Sequence, residues 1–314
     1  MKTKTLGWIV ALAMSGSAFV SCSQPKVECQ VALASTTYGY ATRFTLKNQP
    51  AGACADRVVP GDTFGMEFYH PPTEDKTTYD ASKTPIAVQA DSFGYEASLR
   101  AEQAALAAEF PAGELDFDCV VDEATGANSC LDNDPTHKLY AMGEFGSPEP
   151  DASDLCSAKM TVTAAAEMHF PAVPAIPPDP EDPEDPGMEA WPAKTVRYEW
   201  TKLDVFVTAA APGTQFTGTL KYTEDDCDLE YDVVGMWPSV FCGTEQEDGS
   251  YLPEDIWCSP CPDPDAGIVY GSGISPDFPT MCDPDLLICV LKNKDDAPAT
   301  KIPQLLDSPI LCEE

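Results

Sequence analysis

Thr195-Val-Arg-Tyr-Glu-Trp-Thr-Lys-Leu-Asp-Val-Phe-Val-Thr-Ala-Ala210, Gln215-Phe-Thr-Gly-Thr-Leu-Lys-Tyr222 and Asp228-Leu-Glu-Tyr-Asp-Val-Val234 decide how this chain folds. Rich in β-branched and aromatic residues, they read as a strand–turn–strand–turn–strand meander. Pro212-Gly213 makes the first break and Glu224-Asp225-Asp226 the second. Phe216, Leu220 and Tyr222 are spaced to suit one face of a sheet.

Working outward, strand-like runs recur at Glu28–Thr36, Tyr38–Lys47, Phe64–Tyr69, Thr84–Ala90, Glu114–Val121, Leu139–Phe145 and Lys159–Phe170. The expected fold is mainly β, a sandwich-like set of antiparallel sheets. One segment departs from it. Ser92 to Phe110 is rich in Ala, Glu and Leu and lacks proline, so it reads as one amphipathic helix. Leu99, Gln103, Leu106 and Phe110 lie along its face, Ser92 caps it and Pro111 ends it. Packing across a sheet is its expected role. Pro171 to Gly187 is so dense in proline and carboxylates that neither helix nor interior strand can form. It is a semi-rigid linker or, preferably, a long excursion between two strands that pair.

The N-terminus sets the address. Lys2 and Lys4 precede an apolar run from Leu6 to Met14 and small residues from Ser15 to Ala18, the three-part pattern of a secretory signal peptide. The run is too short to span a bilayer, which takes about 20 residues. Phe19-Val-Ser-Cys22 resembles the lipobox of bacterial lipoproteins, in which the cysteine is acylated with palmitate-type chains and becomes the first mature residue. Phe19 departs from the leucine usual there, and cleavage after Ala18 is the ordinary alternative. By the same resemblance, Ser23 after the cysteine implies outer-membrane sorting in a Gram-negative cell.

Of 13 cysteines, setting Cys22 aside for lipid leaves an even number. Export makes full oxidation the default for Cys29, Cys54, Cys119, Cys130, Cys156, Cys227, Cys242, Cys258, Cys261, Cys282, Cys289 and Cys312. Cys29–Cys54 and Cys119–Cys130 are the expected local bridges. The balance of 52 acidic against 18 basic residues excludes nucleic acid, whose phosphates need basic patches. It suits a protein kept dispersed by its own charge.

From Cys242 onward the chain changes to proline, aspartate and six of the cysteines, Cys242 included, a staple-held appendage. Phe206-Val-Thr-Ala-Ala-Ala-Pro-Gly-Thr-Gln-Phe, Cys227, Trp237-Pro-Ser-Val-Phe-Cys242, Gly271-Ser-Gly-Ile-Ser-Pro-Asp-Phe and Cys282-Asp-Pro resemble lipoproteins of myxobacteria. The resemblance covers roughly the C-terminal third. It supports the address and implies no activity.

Candidate chemistry is sparse. Trp257-Cys-Ser-Pro-Cys261 resembles the Trp-Cys-x-Pro-Cys centre of thioredoxin-like oxidoreductases. There the reactive thiol sits at a helix N-terminus after a buried strand. Gly249-Ser-Tyr-Leu-Pro-Glu-Asp upstream and Pro262-Asp-Pro-Asp downstream deny it both, so structural bridges are expected, with near or distant partners. Zinc through Cys258, Cys261, Cys282 and Cys289 suffers from the wide second spacing. Calcium at Asp122, Glu123, Asp132 and Asp134, or at Glu224, Asp225, Asp226 and Asp228, lacks EF-hand spacing. His70, His137 and His169 stand outside any His-Glu-x-x-His motif, and no Gly-x-Ser-x-Gly elbow occurs. The sequence carries no cofactor fingerprint.

The expected organisation is a signal peptide over 1–21, a tether over 22–27, a β domain over 28–240 interrupted at 171–187, and a Cys-rich appendage over 241–314. The expected function is that of a cell-envelope lipoprotein held to the membrane by its N-terminal lipid. It presents a non-catalytic binding or structural surface to a protein or carbohydrate ligand that no motif names. The alternative is a secreted hydrolase with a carboxylate site.

Overall fold

The computed structural model describes residues 26–32, 39–80, 82–106, 138–161, 165–178, 186–293, 295, 297–302, 306 and 310–312. The strands are β1 (Tyr40–Leu46), β2 (Gly61–Phe68), β3 (Pro85–Ala90), β4 (Ala141–Phe145), β5 (Leu155–Met160), β6 (Ala165–Phe170), β7 (Lys194–Val207), β8 (Pro212–Glu224) and β9 (Cys227–Met236). Helix α1 (Asp91–Leu106) lies between β3 and β4. Short hairpins β10 (Gly243–Glu245) with β11 (Tyr251–Pro253) and β12 (Thr280–Cys282) with β13 (Cys289–Leu291) follow.

The chain is mainly β, and its large sheet is antiparallel throughout, in the order β5-β4-β3-β2-β1-β9-β8-β7-β6. β5 also pairs with β7, Leu155 opposite Phe206 and Ala158 opposite Leu203. The opposed layers expected of a sandwich are therefore opposite walls of one sheet closed on itself. A barrel of about eight strands has an interior that side chains can just fill. Here alternate residues of each strand do so: Val196, Tyr198 and Trp200 of β7 point inward and are buried. Phe64 meets Trp200 edge-on at 5.1 Å and Tyr198 at 5.5 Å, and Phe216 lies 5.4 Å from Tyr40. Glycine makes room for these rings. A Cβ on Gly218 would lie 2.9 Å from Trp200 Cζ3, and one on Gly235 would collide with the Phe216 ring.

Three expected elements are corrected. Residues 28–32 form no strand. They lie along the barrel end, where Cys29 N–H donates to Pro148 O and Ala32 N–H to Gly213 O. The single run expected over Lys159–Phe170 is divided between β5 and β6, both on the same edge of β7. The face of α1 is rotated from the expected one. Phe93, Arg100, Gln103 and Ala104 are buried, whereas Leu106 is 62% exposed. Phe110, Pro111 and the Glu114–Val121 run lie outside the described residues.

The rotation has a physical reason in the proline-rich excursion. Its two arms pair with each other at Val173–Trp191 and Ile176–Met188, so it is a strap returning from β6 to β7. Proline removes donors but leaves carbonyls, and a buried carbonyl must be paired. Arg100 Nη1 donates to Pro171 O at 2.6 Å and to Pro192 O at 2.9 Å. Gln103 Nε2 donates to Pro174 O at 2.9 Å and to Glu189 O at 2.8 Å. The Arg100 guanidinium also pairs with Glu96 and stacks over Phe170 and Trp191. The helix thus turns polar side chains inward because the strap needs donors.

At its start α1 is tied to the barrel by Asp62. Ser92 does not act through a cap of its own. Its Oγ donates to Asp62 Oδ2 at 2.6 Å, as does Tyr198 OH at 2.8 Å, while Thr63 N–H donates to Oδ1 at 2.7 Å. Burial outweighs these bonds and pushes the Asp62 carboxyl up to about 6.

The appendage packs on one barrel end. Phe206, Ala211, Val234 and Met236 of the barrel share a second core with Cys242, Cys258, Ile274, Phe278, Cys282, Cys289 and Leu291. Arg43 of β1 pairs with buried Asp283 at 3.1 Å and with Asp285 at 3.2 Å.

Two consequences are measurable. Arg100→Ala strands buried carbonyls and leaves the partly buried Glu96 without its guanidinium. Urea denaturation of the oxidised protein should show a loss of about 3–5 kcal/mol. Arg100→Lys should recover only part, since an ammonium lacks the planar fork. Asp62, raised from 3.8 to about 6 on folding, binds its proton more tightly in the folded state. Its contribution is complete below about pH 4 and is lost as pH rises through about 6, a fall of about 3 kcal/mol. Asp62→Asn should flatten that part of the stability profile in urea titrations run from pH 4 to 8.

Candidate functional site

β6 and β7 carry inward residues at alternate positions, so Glu167, His169, Thr195, Arg197 and Glu199 all project from the outer face. Register brings them together, with His169 opposite Thr195 and Glu167 opposite Arg197. His169 Nδ1 lies 2.9 Å from Thr195 Oγ1, and Nε2 lies 2.9 Å from Glu167 Oε1. With its proton on Nε2, His169 donates to Glu167 and accepts from the hydroxyl. Arg197 donates to Glu167 at 3.0 Å and to Glu199 at 3.2 Å. Beside this string is an open cleft of about 390 Å³ lined by His169, Phe170, Pro171, Ala193, Lys194, Thr195 and Asp225.

Carboxylate, imidazole and hydroxyl in line are the parts of an activated nucleophile. Acyl transfer also needs donors for the developing oxyanion. The N–H of Thr195 is already given to Asp225 Oδ1 at 2.9 Å, and that carboxylate would repel negative charge at the same spot. The arrangement holds the two strands together and shapes a polar cleft.

The acidic turn does not converge on a point. Glu224 is bound by Arg57 and by Tyr222 OH, and Asp225 accepts from Thr195. Asp228 is bound by Lys221 at 2.9 Å and by Thr223 at 2.7 Å, bonds that lower its pKa. These three carboxylates each serve their own partner, and Asp226 is exposed. His70 lies elsewhere, with Nδ1 3.1 Å from Lys83 O.

Five disulfides form among the described residues. Cys29 joins Cys156 and Cys54 joins Cys227, which corrects the expected Cys29–Cys54 bridge. Both partners are distant in sequence because the barrel brings the ends of β5 and β9 under the segments that carry Cys29 and Cys54. Cys242 joins Cys282, Cys258 joins Cys289 and Cys261 joins Cys312. The Trp-Cys-Ser-Pro-Cys motif is thus split between two bridges. Cys22, Cys119, Cys130, His137 and the acidic residues Asp122, Glu123, Asp132 and Asp134 lie outside the described residues.

Sequence reasoning missed both the His169 string and the Asp62–Ser92–Tyr198 knot. The alternation Glu167-x-His169 and Arg197-x-Glu199 was a usable signal for an outer polar face. The register that joins them runs across the proline strap and cannot be counted from sequence.

Residues 38–238 match the family model MlpA. That span begins just before β1 and ends just after β9, so it coincides with the barrel and stops short of the appendage. The Myxococcus xanthus protein named "Putative lipoprotein MlpA" is 38% identical over 92 residues, 29% of this chain and 33% of that protein. The chain thus spans about a third of the length of this curated relative. No solved structure matches. With its whole barrel inside the matched span, this chain belongs to the MlpA family.

Proposed function

We propose that the chain is an outer-membrane lipoprotein, acylated at Cys22, that holds its barrel upright and displays the far end as a non-catalytic binding or structural surface. The observation that carries this is the shared position of the appendage and the segment that follows the tether. Val31 and Ala32 lie on Gly213, at the barrel end where Phe206, Ala211 and Met236 meet the appendage. Exposed Phe241, Tyr251, Leu252, Tyr270 and Leu311 are on the appendage, where a bilayer interface would receive aromatic side chains. Cys22 and Cys29 are seven positions apart, a reach of roughly 25 Å at most.

β7 runs from that end to the other over 14 residues, about 40 Å of strand. α1, the proline strap and the His169 cleft therefore stand furthest from the anchor. The barrel interior is filled by side chains, so a ligand would meet the outer surface. A protein or carbohydrate surface suits the exposed Tyr95 and Met188 and the cleft carboxylate of Asp225 better than an anion.

The wild-type protein should partition into the detergent phase with a diacylated Cys22 as its first residue, since more than one chain is needed for firm anchoring. Cys22→Ala should move it to the aqueous phase. An unlipidated mature chain starting at Phe19 would refute the anchor.

The hydrolase reading rests on the Thr195–His169–Glu167 string. With the Thr195 N–H already given to Asp225 and the Lys194 ammonium to Glu96, activated ester substrates should be cleaved no faster than in buffer. Turnover that His169→Ala abolishes would reverse that conclusion and make the cleft an active site.

A further inference from the structure

We propose that Cys242, Cys258, Cys282 and Cys289 form a convertible site, two disulfides when oxidised and a four-thiolate site for a zinc-class cation when reduced. The Sγ atoms of Cys242, Cys258 and Cys289 all lie within 4.8 Å of one another, although they belong to two different bridges. The fourth sulfur, of Cys282, is bonded to that of Cys242. Cys282 and Cys289 are direct cross-strand partners in β12–β13, so their wide sequence spacing is no obstacle. A hairpin register joins them where a short knuckle would not.

Tetrahedral zinc with bonds of about 2.3 Å needs sulfurs about 3.8 Å apart. The sulfurs are two bonded pairs in the oxidised protein, so both bridges must be cut before they can move apart to that spacing, and the clustering of three of them leaves each a short way to travel. All four cysteines are buried, which keeps water from competing. The frame does not depend on the bridges alone. Cys242 N–H donates to Leu287 O, Cys289 N–H to Val240 O and Glu254 N–H to Cys242 O, while Cys282 N–H donates to Asp255 Oδ1 at 2.7 Å. Thiolates favour zinc and other soft cations over calcium or magnesium. The set differs from the one read in sequence by exchanging Cys261, which is held by Cys312, for Cys242.

The chemistry balances with a named reductant. A trialkylphosphine cleaves each S–S bond, takes the oxygen of one water to become a phosphine oxide, and leaves that water's two hydrogens on the two sulfurs. In a cell a dithiol would do the same, giving two electrons and two protons per bridge and forming its own disulfide. The cation then displaces the thiol protons into solvent.

The test uses the full exported chain, reduced with a trialkylphosphine under argon and titrated with Co²⁺. One equivalent should give the visible bands of tetrahedral cobalt thiolate, and Zn²⁺ should abolish them. The double variant Cys258→Ser/Cys289→Ser should lose the bands, while Cys54→Ser/Cys227→Ser keeps them. Zinc should also protect Cys242, Cys258, Cys282 and Cys289 of the unmutated chain from alkylation, mapped by mass spectrometry, with Cys54, Cys227, Cys261 and Cys312 left reactive. That mapping decides the matter if the first variant is insoluble. Absent bands, bands that survive Cys258→Ser/Cys289→Ser, or a different protected set would each overturn the proposal.

Discussion

Strand β7 has two hydrogen-bonding edges to fill along its whole length, and an unfilled edge is a template for aggregation. β8 takes one edge from end to end. The other edge is shared, Leu203–Phe206 with β5 and Lys194–Glu199 with β6. The changeover falls where β7 carries a register shift between Trp200 and Lys202, and such irregularities bend and twist a strand. Because β5 also pairs with β4, the first contact closes the barrel. The second carries its wall onward past the closure, and only there can the strap, α1 and the His169 cleft be assembled.

The strap illustrates how one composition forces another. Prolines on either arm supply carbonyls without matching donors, and α1 answers with Arg100 and Gln103 on the face it buries. Replacing those side chains by leucine would improve the helix's apolar stripe and strand four acceptors. Glu96 completes the set by binding both Arg100 and Lys194, so helix, strap and β7 are joined through one carboxylate. Polar contacts of this kind are dear to break, because each partner is left dry.

Much of the barrel was legible because strand alternation is local. The β7–β9 meander, β1 to β4 and the helix between β3 and β4 all follow from runs of a few residues. What was not legible is non-local. Closure depends on Leu155–Ala158 finding Leu203–Phe206 across the strap, and no periodicity encodes that meeting. The buried face of α1 was misjudged because an amphipathic reading assumes an apolar partner, whereas the strap demands donors. Cys29 and Cys54 looked like partners only because they lie close in sequence, on either side of two strand-like runs. The cleft failed for the same reason as the closure, since Glu167 and His169 gain meaning only opposite Arg197 and Thr195.

The disulfides suit the proposed anchoring of the barrel by one end. Cys29 and Cys156 are 127 residues apart, and Cys54 and Cys227 are 173 apart. Bridges closing loops beyond 100 residues restrict the unfolded chain by about 4.7 kcal/mol or more in the chain-entropy account. Their placement matters as much as their length. Cys156 sits in β5, which pairs with β7 over Leu155–Ala158 and with β4 over Ala158–Met160, so under the proposed anchoring tension from the N-terminal segment would enter the sheet through the β5–β7 ladder. Cys54–Cys227 clamps the opposite end, at the first residue of β9, beside the Arg57–Glu224 pair. A barrel bridged at both ends in this way keeps its far surface in register with its base, which is the mechanical requirement for presenting that surface at a distance from an anchor.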